Sequence, residues 1–248
     1  AMAAAPAAIG ALRAQGVKVA VVDALSNDDL LRLGPALRDL PLITAGSGVA
    51  IGLPANFGLQ ANPRASHLPP AQGRQAIVSG SCSQATLGQV EHARGQGIPS
   101  WALDPALLLK PQTNAQVVQQ ALQFAAQHGT RPVLIYSSAP PDQVRILQQR
   151  HGVEQVGHLV EQALAALACG LVQQGVRQLI VAGGETSGAC VQALGIEHMQ
   201  IGAQIDPGVP WCHAHSPMAP QGMHLTLKSG NFGGPDFFTR AFSGLTTA

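Results

Sequence analysis

Three times along this chain an apolar run closes on a turn built from glycine and small hydroxyl residues. Ala76–Ser79 leads into Ser79-Gly80-Ser81-Cys82-Ser83, Gln178–Ala182 into Gly183-Gly184-Glu185-Thr186-Ser187-Gly188, and His224–Lys228 into Lys228-Ser229-Gly230-Asn231-Phe232-Gly233-Gly234. Short apolar runs bounded by such turns suit strands covered on both faces, the situation in a parallel sheet. If these strands pair in parallel, all three turns meet at one carboxyl edge, where open α/β sheets bind ligands. Glycines let a backbone approach an anion closely and adopt positive φ. Free N–H groups at the start of a following helix, with Ser and Thr hydroxyls, can then hold the anion's oxygens.

The intervening sequence alternates strand and helix signals. After strand Ala76–Ser79 the pattern predicts a helix over about Gln84–Gln96, a short strand near Ser100–Leu103, and a helix over about Asn114–His128. Strand Pro132–Tyr136, a Pro-rich loop at Ala139–Asp142 and an amphipathic helix over about Val156–Gln174 follow, the last with apolar residues at 159, 160, 164, 167 and 171. Strand Gln178–Ala182, a helix through Leu194 and a final strand His224–Lys228 complete the set. The expected fold is α/β: a doubly wound, mostly parallel sheet with helices on both faces, preceded by a partial α/β unit. In that unit Val17–Ala24 reads as a strand buried on both faces. A helix capped by Ser26 or Asn27 follows, then a strand at Pro41–Thr44 and a glycine turn into a short helix.

Residues 58–73 are rich in Pro, Gly, Asn and Ser and lack either periodicity, which marks a linker. The expected organisation is therefore a first part over 1–57, a linker over 58–73 and a second domain over 74–248. The opening residues read as a helix already in progress, with something missing upstream. With 46% hydrophobic residues and 11% charged, the chain has the material for a sizeable core. Its 14 Lys and Arg against 13 Asp and Glu provide no basic field for nucleic acid or an anionic membrane. Apolar stretches such as Leu179–Ala182 are far shorter than a bilayer span, so no membrane partner and a cytoplasmic location are expected. Cys82, Cys169, Cys190 and Cys212 form no C-x-x-C pair and read as ordinary buried thiols.

Several residues carry two readings. The Gly183–Gly188 turn is neither a Walker A loop nor a dinucleotide fingerprint, since G-K-[ST] and G-x-G-x-x-G are both absent. Glu185 either supports the start of the next helix or faces a magnesium ion through water. Ser83 either caps a helix or binds ligand. Lys228 either neutralises phosphate or is a solvated surface residue. His213, His215 and His224 invite a metal reading, but the Pro-rich surroundings and missing carboxylate pattern favour a loop with chance histidines. The stretch IDPGVPW reads as a rigid turn packing Trp211 against the sheet edge, with adenine stacking as the alternative.

The strings VSGSCSQAT, VAGGETSGACVQALG, IDPGVPW and LTLKSGNFGGPDFF, in this order and at these separations, closely resemble the C-terminal domain of four-carbon acid sugar kinases. VDALSNDDL and LITAGSGVA resemble the closing portion of that family's N-terminal domain, so the resemblance runs from about Val17. It implies an ATP-dependent kinase acting on threonate, erythronate or 3-oxo-tetronate. This chain would carry mainly the ATP site and the remnant of the domain that holds the sugar acid. Ser79, Ser81, Ser83, Gly183, Gly184, Glu185, Thr186, Ser187, Gly188 and Gly230 would line ATP, with Mg²⁺ as the companion ion and a homodimer as a possible assembly. The family's paired aspartate followed by Thr-Gly has no counterpart here, so no residue is assigned as general base. The alternative is a non-catalytic α/β module that binds a nucleotide or small phosphorylated ligand. A dinucleotide oxidoreductase is disfavoured by the absent fingerprint.

Overall fold

The computed structural model describes residues 5–137 and 141–245, in two compact units, Ala1–Pro63 and Arg64–Ala248. The first unit holds α1 (Ala5–Ala14) and α2 (Asn27–Leu33), followed by short 3₁₀ turns at Gly34–Leu37, Ser47–Gly52 and Pro54–Phe57. Ser26 caps α2 in a capping box: its hydroxyl accepts from Asp29 N at 3.3 Å, and Asp29 Oδ2 accepts from Ser26 N at 3.1 Å.

The strands expected at Val17–Ala24 and Pro41–Thr44 do not form. Both segments are without regular structure, and Val19, Val21 and Leu25 are 83%, 90% and 96% exposed. A strand exists only through the ladder it shares with a neighbour, and within this unit neither extended run has one.

The second unit is built on a seven-stranded sheet: β1 (Arg74–Ser79), β2 (Ser100–Ala102), β3 (Val133–Tyr136), β4 (Val176–Ala182), β5 (Met199–Asp206), β6 (Val209–Ser216) and β7 (Ala219–Lys228), ordered β2-β3-β1-β4-β7-β6-β5. The five strands from β2 to β7 in that order are parallel, whereas β5, β6 and β7 form an antiparallel meander. Around it lie α3 (Gln84–Gly95), α4 (Pro105–Leu108), α5 (Pro111–Gln127), α6 (Pro141–His151), α7 (Val153–Gln173), α8 (Gly184–Ala193) and α9 (Phe237–Arg240). Of the Pro-rich loop expected at Ala139–Asp142, residues 139 and 140 lie outside the described residues.

Strand alternation sorts the core into two layers. Ala76 and Val78, Val133 and Ile135, and Leu179 and Val181 face one side, against α5, α7 and α8. Ile77, Leu134, Ile180 and Ala182 face the other, against Val90 and Ala93 of α3 and Phe237, Phe238 and Phe242 at the C-terminal end. Both faces are covered, which is why these strands read as continuous apolar runs. At 21 residues α7 is long and apolar enough to cross a bilayer by length and composition, a length the sequence reading overlooked. Its stripe of Leu164, Leu167, Ala168 and Leu171 is buried in the first layer, as befits a core helix.

The meander replaces what the sequence suggested was loop. Pro207 and Gly208 make the turn from β5 to β6, so IDPGVPW does contain the expected turn. Trp211 instead sits inside β6, 2% exposed, donating its indole N–H to Ala241 O at 2.9 Å, with its ring 5.8 Å from that of Phe242. Covered in this way it offers no face for adenine stacking. His213 and His215 also lie on a strand, which corrects the loop reading. The His213 ring centroid is 5.2 Å from His215 and 5.1 Å from His224, its cross-strand partner on β7.

Candidate functional site

Pairing of β1 with β4 and of β4 with β7, all parallel, carries the three glycine- and serine-bearing turns to adjacent positions on one edge. The chain leaves β1 for α3, on the second core layer, and leaves β4 for α8, on the first. The two loops therefore part to opposite faces, and the position outside such strand ends is where open α/β sheets usually hold ligands.

The loops are tied to one another by backbone bonds. Gly80 N and Ser81 N donate to Ala182 O at 2.9 and 3.2 Å, and Gly183 N donates to Lys228 O at 2.8 Å. Ser83 is the N-cap of α3: its hydroxyl accepts from Thr86 N at 3.2 Å and also donates to Gly230 O at 2.6 Å. It thus joins the first loop to the third. The Ser81 hydroxyl lies 3.3 Å from that of Ser83. Gly230 fits only because it lacks a side chain, since a Cβ there would stand 2.5 Å from Ser81 Oγ and 3.1 Å from Ser83 Oγ. Ser79 is buried at the end of β1, and its carbonyl accepts from Ser137 N at 2.9 Å.

The second loop is a sharp turn into α8. Gly183 takes φ +129°, a conformation few side chains tolerate, and α8 begins at the next residue without a side-chain cap. Helix geometry leaves the N–H groups of Gly184, Glu185 and Thr186 without a partner in the helix, at its positive end. Thr186 and Ser187 are buried, and the Ser187 hydroxyl has no hydrogen-bond partner among the described residues. Gly184, Glu185 and Gly188 are exposed. Glu185 also lines a groove of about 500 Å³ between α7 and α8, together with His158, Glu161 and Gln162.

Three polar residues that the sequence reading passed over or misjudged hold the third loop. Lys228 is neither solvated nor on the surface: it is fully buried, and its ammonium donates to Thr86 Oγ1 at 3.0 Å and to the carbonyls of Ser229, Gly230 and Phe232 at 3.1 to 3.2 Å. Burial pushes its pKa down to about 8. Gln89, buried on α3, donates to the carbonyls of Phe232, Gly233 and Gly234. Asp206 accepts from Gly234 N at 3.1 Å and pairs with Arg240 at 2.7 Å. Burial works to raise the Asp206 carboxyl, but the Arg240 and Gly234 donors outweigh it and hold it below the ordinary value. A strand-end lysine and a mid-helix glutamine carry no sequence signal for such roles; only the return of the loop over α3 reveals them.

Among the described residues no group of three or more His, Cys, Asp or Glu is placed to hold a metal ion. All four cysteines are free, and burial pushes Cys190 up to about 12, far from a reactive thiolate.

Residues 76–238 match the family described as Nucleotide-binding C-terminal domain. The chain is 50% identical over 237 residues to a 3-oxo-tetronate kinase of Cupriavidus necator, covering 94% of this chain and 53% of that one. It is also 50% identical over 246 residues to a 3-oxo-tetronate kinase of Burkholderia multivorans, covering 98% and 56%. Among solved structures, a Salmonella typhimurium LT2 protein matches with a TM-score of 0.77 at 38% identity, covering 99% of this chain and 57% of that one. A Haemophilus influenzae protein matches with a TM-score of 0.69 at 36% identity, covering 96% and 56%. The chain thus spans about half the length of the relatives it matches. On the strength of the match across β1 to α9, the chain belongs to the nucleotide-binding C-terminal domain family.

Proposed function

We propose that this chain is the nucleotide-binding part of an ATP-dependent sugar-acid kinase of the 3-oxo-tetronate kinase type, with the three carboxyl-edge loops as its phosphate cradle. One observation carries the reading. Donors stand without partners at the start of α8, behind a glycine turn: the N–H groups that begin the helix and the buried Ser187 hydroxyl. An unpaired buried hydroxyl costs free energy, and a phosphate oxygen is the acceptor such a site lacks. In this reading Gly183, Gly184, Thr186, Ser187 and Gly188 supply one wall. Ser79, Ser81, Ser83 and Gly230 supply the other.

Mg²⁺ would neutralise charge on the phosphates of the bound nucleotide. Glu185, exposed in the first turn of α8, is the carboxylate that would meet its water shell. The chain's own residues bind and orient: the loops fix the phosphates by backbone donors, and the small residues keep the approach open for a phosphoryl acceptor. The sugar acid would be held by the part of the relatives that this chain does not span. The unit Ala1–Pro63 would be the closing part of that acid-binding domain, joined through the segment to residue 73.

Thermal unfolding with and without Mg-ATP tests the reading. A ligand at 100 times its dissociation constant adds about 2.7 kcal/mol, which raises the midpoint by roughly 5 to 10 °C for a chain this size. A shift with Mg-ATP and none with NAD is the expected result. No shift at millimolar Mg-ATP would remove the nucleotide site from these loops.

A further inference from the structure

Lys228 is a cation with nowhere to discharge. Its four partners are one hydroxyl and three backbone carbonyls, and no carboxylate pairs with it among the described residues. Its ammonium bonds to α3 and to its own loop, and its backbone pairs with β4. None of its hydrogen-bond partners is an ionisable side chain, and burial lowers its pKa to about 8. Asp206, the carboxylate that reaches the loop, is taken by Gly234 N and Arg240. A buried charge without a counter-ion is costly, and structures keep one only where something else compensates it.

The carbonyls show where that compensation belongs. In a planar trans peptide the N–H of the next residue points opposite to the carbonyl. With the carbonyls of Ser229, Gly230 and Phe232 turned to the ammonium, the N–H groups of Gly230, Asn231 and Gly233 turn away from it. These three make no hydrogen bond among the described residues. Adjacent outward N–H groups, here those of Gly230 and Asn231, form an anion-binding concavity, with that of Gly233 one residue beyond Phe232, whose own N–H is bonded to Ser229 O. Gly230 sets this one beside the Ser81 and Ser83 hydroxyls.

We infer that Lys228 is a positioning residue of this anion site, turning the loop's N–H groups outward and holding a positive charge that is neutralised when a phosphoryl group binds, so that binding takes up a proton. The inference rests on the phosphate-cradle reading above and adds the linkage to it. The bound anion favours the ammonium form, so the lysine's pKa rises in the complex. Affinity then falls as pH climbs above 8, approaching tenfold per pH unit until the raised value is reached.

The test is calorimetric titration of the full 248-residue chain with ATP, and separately with pyrophosphate, at pH 7.0 and 8.5 in two buffers of different ionisation enthalpy. At pH 8.5 the phosphates of ATP are essentially fully ionised, and a lysine near 8 is about three-quarters neutral, so uptake of roughly three-quarters of a proton is expected on ATP binding, against little at pH 7.0. Lys228→Arg, which keeps the charge and does not titrate, should bind with no proton uptake, while Lys228→Met should lose affinity at both pH values. Binding without proton uptake in the native chain would overturn this inference and leave the nucleotide reading standing. Equal uptake in Lys228→Arg would assign the proton elsewhere and overturn it as well. Failure of the native chain to bind either anion would overturn both. The native-chain measurement decides the matter even if a variant does not fold.

Discussion

Gly184→Asp separates folding from binding, because the substitution should leave one intact and strongly weaken the other. Gly184 is the first residue of α8, is exposed, and has nothing within 4 Å of where a Cβ would stand. An aspartate there meets no clash, and its charge lies at the positive end of the helix, worth about 0.3 to 1 kcal/mol in favour of folding. The melting temperature should therefore hold or rise slightly. The same carboxylate would stand about 5 Å from a phosphate held by the α8 N–H groups. At an effective dielectric constant of about 20 this repulsion is roughly 3 kcal/mol per unit charge, a loss of about 200-fold in affinity. Titration with Mg-ATP, beside a melting curve of the free protein, reads both quantities. Gly184→Ala, which adds bulk without charge, should retain most of the affinity. An unchanged dissociation constant in Gly184→Asp would refute the placement of phosphate at this loop.

Two further outcomes follow from the sheet. Burial first, then the neighbouring imidazoles, hold His213 and His224 below the ordinary histidine value, so the unfolded chain takes up protons before the folded one. Stability should be fully present above about pH 6.5 and decline as pH falls below it, measured as the urea midpoint between pH 7.5 and 5.5; a flat profile would contradict the burial of His224 and the partial burial of His213. Trp211→Ala removes a side chain that fills the second core layer and should cost about 3 to 5 kcal/mol in chemical unfolding, with a loss under 1 kcal/mol showing that the layer is not packed as described.

The centre of the parallel sheet was legible because β1, β3 and β4 are apolar runs covered on both faces and each is followed by glycine or serine. The meander was not. Between Met199 and Ser216 the sequence carries Gly202, Pro207, Gly208, Pro210 and two histidines, which break any period of two. Proline is tolerated at 210 because the pairing of β5 with β6 shifts register there, so the missing N–H falls at an irregularity. Val17–Ala24 fails in the opposite sense, having the composition of a strand and no neighbour to pair with. In the site the glycines and serines were readable from their order along the chain. Thr86, Gln89, Lys228 and Asp206 were not, because their partners are carbonyls of a loop about 140 residues away for the first two, and their roles arise only on folding.

The meander also settles which end of the sheet tolerates change. Two reversals restore β7 to the direction of β4, so the β5–β6 turn returns to the site edge and the β6–β7 turn falls at the far one. The near turn leans on the third loop: a Cβ on Gly208 would stand 2.8 Å from the Phe232 ring, and Asp206 holds Gly234. Lengthening it by one residue would push on the loop. At the far turn, Pro217 and Met218 join strands whose other ends do that work, so an inserted reporter peptide or epitope there would ride on the opposite side of the molecule from anything bound. An even number of hairpins thus leaves the protein one grip for the experimenter and one for the ligand.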